Sequence, residues 1–210
     1  SVGSGKALEL AKNGDVDVTL VHARAQEEKF VADGFGVDRR DVMYNDFIIA
    51  GPEADPARVK GGGDVIAAFR KIAASRAKFI SRGDNSGTDL MEKAYWGTAG
   101  VKPEGANYVS AGLGMGEVLN MAAELQAYTL TDRATYGAYR AKTGLAILVE
   151  NDKRMFNPYG IIAVNPARYK DINYKGAKLL IDWITSPEGQ QRIAAFKPAG
   201  EQLFFASAAR

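Results

Sequence analysis

Lys78-Phe79-Ile80-Ser81-Arg82-Gly83-Asp84-Asn85-Ser86-Gly87-Thr88 sets a short apolar strand, a polar glycine turn and the opening of a helix in direct succession. A helix start presents backbone N–H groups that have no intrahelical acceptor, together with a partial positive charge, so such a turn suits an anion. The Ser and Thr hydroxyls add donors, Gly83 and Gly87 let the backbone approach a ligand closely, and Arg82 supplies a full positive charge. Asp84, two residues from Arg82, is placed to hold the guanidinium by a charge-assisted hydrogen bond and leave its other donors aimed at a ligand. The plainer reading is a helix N-cap beside a surface ion pair, since Ser, Thr and Asp cap helices widely. The Arg82-Gly83-Asp84 tripeptide as an adhesion motif is read as chance.

Outward from this turn, strand and helix patterns alternate. Lys6 to Asn13 favours a helix that Asn13-Gly14 can end, Asp17 to His22 reads as a strand, and Ala25 to Asp33 reads as a helix stopped at Gly34. Asp41 to Ala50 is an expected strand ended by Gly51-Pro52, and a proline- and glycine-bearing loop then leads to a helix at Val65 to Ala74. Further strands are expected at Asn107 to Ser110, Ala127 to Leu130, Leu145 to Val149 and Tyr159 to Val164. Helices are expected at Gly116 to Leu125, Asp132 to Lys142, Tyr174 to Thr185 and Pro187 to Phe196. The class is therefore α/β. There is no internal repeat and no long linker, so two intimate lobes fit better than independent domains.

The composition narrows the chemistry. The chain has 210 residues, 46% hydrophobic and 25% charged, and a chain of this length buries roughly 70% of its unfolded surface without metal or disulfide support. It contains no Cys, which excludes thiolate zinc sites, iron–sulfur clusters and a Cys nucleophile. A single histidine, His22, rules out a His-rich metal site, and as the end of an apolar strand it reads as a structural residue. A net charge of +2 falls short of the clustered basicity of a nucleic-acid binder. No apolar run approaches the ~20 residues of a membrane span. No basic segment followed by an apolar run opens the chain at Ser1, so a secretion signal is expected to have been removed or never present.

Other glycine turns carry weaker signals. Gly3-Ser4-Gly5-Lys6 precedes a helix but fails the phosphate-binding P-loop pattern, because Ala7 stands where that motif needs Ser or Thr. Gly112-Leu113-Gly114-Met115-Gly116-Glu117 puts Glu117 where a dinucleotide fingerprint needs its third glycine, so it is expected to be a structural turn. In Tyr128 to Arg133, Thr131 or Asp132 can cap the following helix and Arg133 is a candidate ligand contact. Ser75-Arg76-Ala77-Lys78 matches the spacing of a Ser nucleophile with its Lys but lacks the partner motifs, and Trp96 and Trp183 are expected in the core.

Taken together, Gly3-Ser4-Gly5-Lys6-Ala7, Asp15 to Val18, Met43 to Phe47, Gly51-Pro52, Asp55-Pro56-Ala57, Ser81 to Thr88 and Tyr128 to Arg133 form a recognisable set. In this order, from Ser1 to about Phe205, they make the chain resemble the tungstate-binding proteins of bacterial ABC importers. The resemblance implies a type II periplasmic binding protein fold: two α/β lobes joined by two crossing strands and closing on an oxyanion in a cleft. Lobe one would be residues 1–50 with 157–210, and lobe two residues 51–156. Family members begin with a strand, a Thr/Ser-rich oxyanion loop, a helix and a second strand, all of which would precede Val2, so lobe one is expected to be incomplete at its N-terminal end.

By the same resemblance Ser4 donates from lobe one, Arg82, Ser86, Gly87 and Thr88 donate from lobe two, and Arg82 is the main charge partner. The implied role is a non-catalytic receptor without cofactor or protein-ligated metal cation, which takes tungstate or molybdate, acts as a monomer, and hands the anion to a membrane permease outside the cytoplasm. Tungstate and molybdate are fully deprotonated dianions at neutral pH, so their site wants donors only, whereas phosphate keeps a proton and wants an acceptor too. The spacing from Arg82 to Thr88 also resembles phosphate-binding proteins of the same fold, and a phosphotransferase using the same loops is a further alternative. The direction in which Asp84 points separates the first two readings.

Overall fold

The computed structural model describes residue 2, residues 4–197 and residues 202–208; Gly3 of the first glycine turn lies outside them. In chain order the elements begin with α1 (Ser4–Asn13), β1 (Val18–Val21), α2 (Arg24–Ala32), β2 (Gly36–Gly51), α3 (Val65–Ser75), β3 (Phe79–Ser81), α4 (Gly87–Ala99) and β4 (Tyr108–Ser110). They continue with α5 (Met115–Glu124), β5 (Thr129–Asp132), α6 (Arg133–Thr143), β6 (Ala146–Val149), β7 (Phe156–Val164), α7 (Tyr174–Ile184), α8 (Pro187–Ala195) and β8 (Phe205–Ala206). The chain divides into two compact units, residues 1–45 with 157–210 and residues 46–156, and so crosses between them inside β2 and near the start of β7.

In the first unit β7 lies between β1 and β2, and β1 runs antiparallel to it with Val18 opposite Ala163 and Val21 opposite Gly160. The short β8 pairs with β2 at Met43 and Tyr44, where the Tyr44 and Phe205 rings stack at 5.1 Å. Two apolar clusters fill the unit, one around Leu8, Phe30 and Ile162 and one around Val42, Ile161 and Ile181. β2 begins five residues earlier than its apolar pattern indicates. The start of the strand turns left-handed at Asp38, where φ is +53°, and is held by a buried ion pair between Arg39 and Glu27 at 2.8 Å and by close packing at Gly36, where a Cβ would lie 2.6 Å from both Ile162 and Phe30.

In the second unit the end of β2 runs antiparallel to β5, Phe47 opposite Asp132, and to β6, Ala50 opposite Ile147. Residues 46–50, grouped by the sequence with the first lobe, thus pair and pack in the second unit. β3 and β4 form a parallel pair. The largest core cluster centres on Phe69, whose ring stands 4.4 Å from Trp96 and 5.5 Å from both Phe79 and Tyr95. Trp96 is buried as expected, but Trp183 is 44% exposed. On α7 the buried positions are Ala177 and Ile181, four apart on one face, and Trp183 two residues on points away from it.

Phe69→Ala is expected to destabilise the second unit by about 3–5 kcal/mol, because it removes the centre of an aromatic cluster that cannot collapse around the cavity. The measurement is the urea midpoint followed by tryptophan fluorescence.

Candidate functional site

The turn between β3 and α4 is ordered by its own side chains. Ser86 caps α4, its Oγ accepting from the Asp89 N–H at 3.3 Å, so Gly87 and Thr88 occupy the first two helical positions. Asp84 accepts twice, from the Arg82 guanidinium at 2.6 Å and from the Ser86 N–H at 3.1 Å. Asp89, fully buried, accepts from the N–H of Gly83 at 3.1 Å, the N–H of Asn85 at 2.9 Å, Ser81 Oγ at 3.3 Å and Lys93 Nζ at 2.6 Å. The N–H groups of Gly83, Asn85 and Ser86 are therefore spent on carboxylates. Those of Gly87 and Thr88 open the helix and have no intrahelical acceptor.

Arg82 is held from two sides. Its carbonyl accepts from Gly112 N–H at 2.7 Å and Leu113 N–H at 3.2 Å, so the glycine turn at 112–114 is structural and braces this loop. Its side chain is 20% exposed with one edge on Asp84, and its Nε is a buried donor with no partner among the described residues. The backbone demands glycine at 83, where φ is +63° and a Cβ would fall 2.0 Å from Ser110 Oγ. Gly87 is different: a Cβ there meets nothing within 4 Å, so no protein neighbour accounts for its small size.

Two electrostatic consequences follow. Burial works to raise the Asp84 carboxyl, but the Ser86 hydroxyl and N–H and the Arg82 guanidinium together hold it below the ordinary value. Burial likewise opposes the ionised form of Asp89, and Lys93 with the N–H groups of Asn85 and Gly83 overcomes it. Beneath the turn Glu92 is pushed up by burial while its Oε1 accepts from Trp96 Nε1 and Tyr108 OH. Asp84 and Asp89 are thus ionised and turned inward onto donors, which leaves the outward groups of the turn as donors.

The remaining sequence-predicted residues fall elsewhere. Ser4 opens α1 in the first unit, where its Oγ accepts from the His22 N–H at 3.2 Å and its own O–H is left to donate. The His22 ring donates through Nδ1 to Asn157 Oδ1 at 3.1 Å, and Asn157 donates on to Asn45 at 2.8 Å, a structural role as its place in the strand suggests. Arg133 is bound in the second unit: Nε and Nη2 grip Asp46 at 2.8 and 2.6 Å, and Nη2 also reaches Glu150 at 2.7 Å. The structure therefore brings Arg82, Ser86, Gly87 and Thr88 into one turn and engages Arg133 with carboxylates. Asp89 and Lys93 were missed by the sequence reading, although Ser86-x-x-Asp89 carries the spacing of a capping box.

The PBP superfamily domain model matches residues 1–188, which defines the class: a periplasmic binding protein, with the type II fold. The tungstate-binding protein TupA of Peptoclostridium acidaminophilum is 50% identical over 100% of this chain and 75% of its own length. A solved structure of the tungstate-binding protein TupA from Desulfovibrio alaskensis G20 is 48% identical, covers 100% of this chain and 86% of that one, and superposes with a TM-score of 0.93. The structure titled as the tungstate ABC transporter from Geobacter sulfurreducens is 54% identical over 91% of this chain and 82% of that one, with a TM-score of 0.72. At this identity over the full chain, the protein belongs to the TupA family.

Because Asp84 and Asp89 titrate below the ordinary carboxylate value of 3.8, the unfolded chain binds protons more readily than the folded one. The stability they contribute is fully present above that value and is lost as pH falls through their folded values. Thermal midpoints are expected to drop from about pH 4 downward. Arg82→Gln is expected to move the Asp84 carboxyl upward in a ¹³C NMR titration, and an unmoved Asp84 would refute the pairing.

Proposed function

We propose that this chain is a non-catalytic receptor that binds tungstate, and molybdate as its near-isostere, and delivers it to the membrane permease of an ABC importer. The observation that carries the reading is the donor-rich turn at 82–88: its two carboxylates are engaged by donors of the protein itself, while among the described residues Arg82 Nε and the helix-opening N–H groups of Gly87 and Thr88 have no acceptor. A tetrahedral oxyanion without protons accepts from all of these and donates to none. A protonated phosphate offers a donor for which this turn holds no outward acceptor, which disfavours the phosphate reading. The two TupA relatives are tungstate-binding proteins, and the Geobacter sulfurreducens structure is that of a tungstate ABC transporter.

In this reading Arg82 carries the charge interaction, Ser86 shapes the turn as its cap, and Gly87 and Thr88 donate. Ser4, in the first unit, is a candidate hydroxyl donor in its own right. Arg133, matched to two carboxylates, supports the strand end and is withdrawn from the contact set. The receptor works as a monomer in the periplasm.

The test is a thermal-shift titration with tungstate, molybdate, phosphate and sulfate. An anion at 1,000 times its dissociation constant adds roughly 4 kcal/mol, and that shift is expected with tungstate and molybdate. A shift with phosphate alone, or with no anion, would overturn the reading. Arg82→Ala is expected to weaken tungstate by about 2–5 kcal/mol, as removal of one partner of a buried charged hydrogen bond does.

Gly87→Ala separates binding from mere structure. It has room for its methyl and gains helix propensity, so stability is expected to hold or rise by about 0.5–1 kcal/mol while tungstate affinity falls.

A further inference from the structure

We infer that Asp89 is the positioning residue of the anion turn: by taking the N–H groups of Gly83 and Asn85 for itself, it determines that the N–H groups of Gly87 and Thr88 face the anion. This rests on the reading of residues 82–88 as the oxyanion site.

A fully buried carboxylate beneath an anion turn is at first sight misplaced, since like charges repel and the dianion carries two. Its hydrogen bonds explain its presence. Two of its four donors, Gly83 N–H and Asn85 N–H, are backbone groups of the turn itself, and both sit where φ is positive, at +63° and +58°. Asn accepts left-handed backbone more readily than most L residues, and here its N–H is fixed by a buried acceptor. Asp89 supplies that acceptor from the first turn of α4, and its own N–H closes the arrangement on Ser86 Oγ. Asp84 takes the Ser86 N–H in the same way. A turn free of these carboxylates would offer five successive N–H groups, from Gly83 to Thr88 apart from Asp84, in no fixed direction. With them, only the two at the helix start remain. Lys93, half exposed on the next turn of α4 and 2.6 Å from Asp89, offsets the charge without touching the backbone of the turn.

Positioning and charge have opposite signs on affinity, so they are separable. Asn at position 89 has nearly the same shape, removes the repulsion, and places an NH₂ donor against at least one of the donors that Asp89 now satisfies. If repulsion governs, Asp89→Asn tightens tungstate; if positioning governs, it weakens it by about tenfold or more, as leaving a buried donor unmet does. Lys93→Met reverses the contrast: it leaves the backbone bonds in place, so positioning expects a change of less than about threefold, whereas a charge role expects a loss comparable in size to the gain from Asp89→Asn.

The experiment combines calorimetric titration of tungstate into the wild type, Asp89→Asn and Lys93→Met with amide NMR of the same samples. In the wild type, tungstate is expected to shift the Gly87 and Thr88 amides downfield and leave those of Gly83 and Asn85 nearly unmoved; in Asp89→Asn, the Gly83 and Asn85 amides are expected to become responsive. Tighter or unchanged binding by Asp89→Asn, or a wild-type response centred on Gly83 and Asn85, overturns the inference. If Asp89→Asn does not fold, the wild-type amide pattern and Lys93→Met decide it. Absence of any tungstate binding by the wild type would instead strike the proposed function itself.

Discussion

A helix that begins under a turn leaves backbone N–H groups that the helix cannot pair, and each must find an acceptor in the protein, in water or in a ligand. Much of the second unit is arranged around that requirement at the start of α4. Asp84 and Asp89 absorb three of the N–H groups, Lys93 balances the buried charge, and Gly83 is forced to be glycine by the approach of Ser110. The glycine turn at 112–114 reaches back to the Arg82 carbonyl, so β4 and the lead into α5 help hold the same loop. In the proposed reading, the donors left over at the helix start are those that meet the anion.

The side chains of Arg82, Asp84, Asp89 and Lys93 sum to no net charge, so in the proposed reading a dianion is met by aimed donors and helix-end dipoles together with the Arg82 guanidinium. In that reading the two carboxylates of the turn accept from groups of the protein itself.

The crossings between the units are marked by polar pairs within each. Asn45 and Asn157, the last and first residues of the first unit at the two crossings, bond to one another, and Asn157 also accepts from His22. On the other side Asp46 is gripped by Arg133, which also holds Glu150, and Arg154 joins Asp152 to Asp64. Burial works against the ionised form of Asp152, yet its hydrogen bonds to Arg154 and the Val65 N–H draw it down to about 2, a measure of how firmly that corner is tied. Apolar residues on either side of each crossing enter separate cores, Val42 and Ile161 in one unit, Phe47 and Met155 in the other.

The alternation of strand and helix, the anion-suited turn at 81–88 and the structural turn at 112–116 were legible in the sequence because each depends on local chemistry: apolar period, capping residues and glycine spacing. The pairing of Arg82 with Asp84 was also legible, being two residues apart. The fate of Arg133 was not, since its partners Asp46 and Glu150 are 87 and 17 residues away and only the meeting of β2, β5 and β6 brings them together. The same holds for the polar start of β2, held at Arg39 by Glu27 of α2, and for Trp183, whose exposure depends on which face of α7 meets the core. Short-range order thus resides in the sequence itself, whereas the choice of which charges are spent and which remain for a ligand belongs to tertiary contacts, because a buried donor or carboxylate is defined by the partner that reaches it.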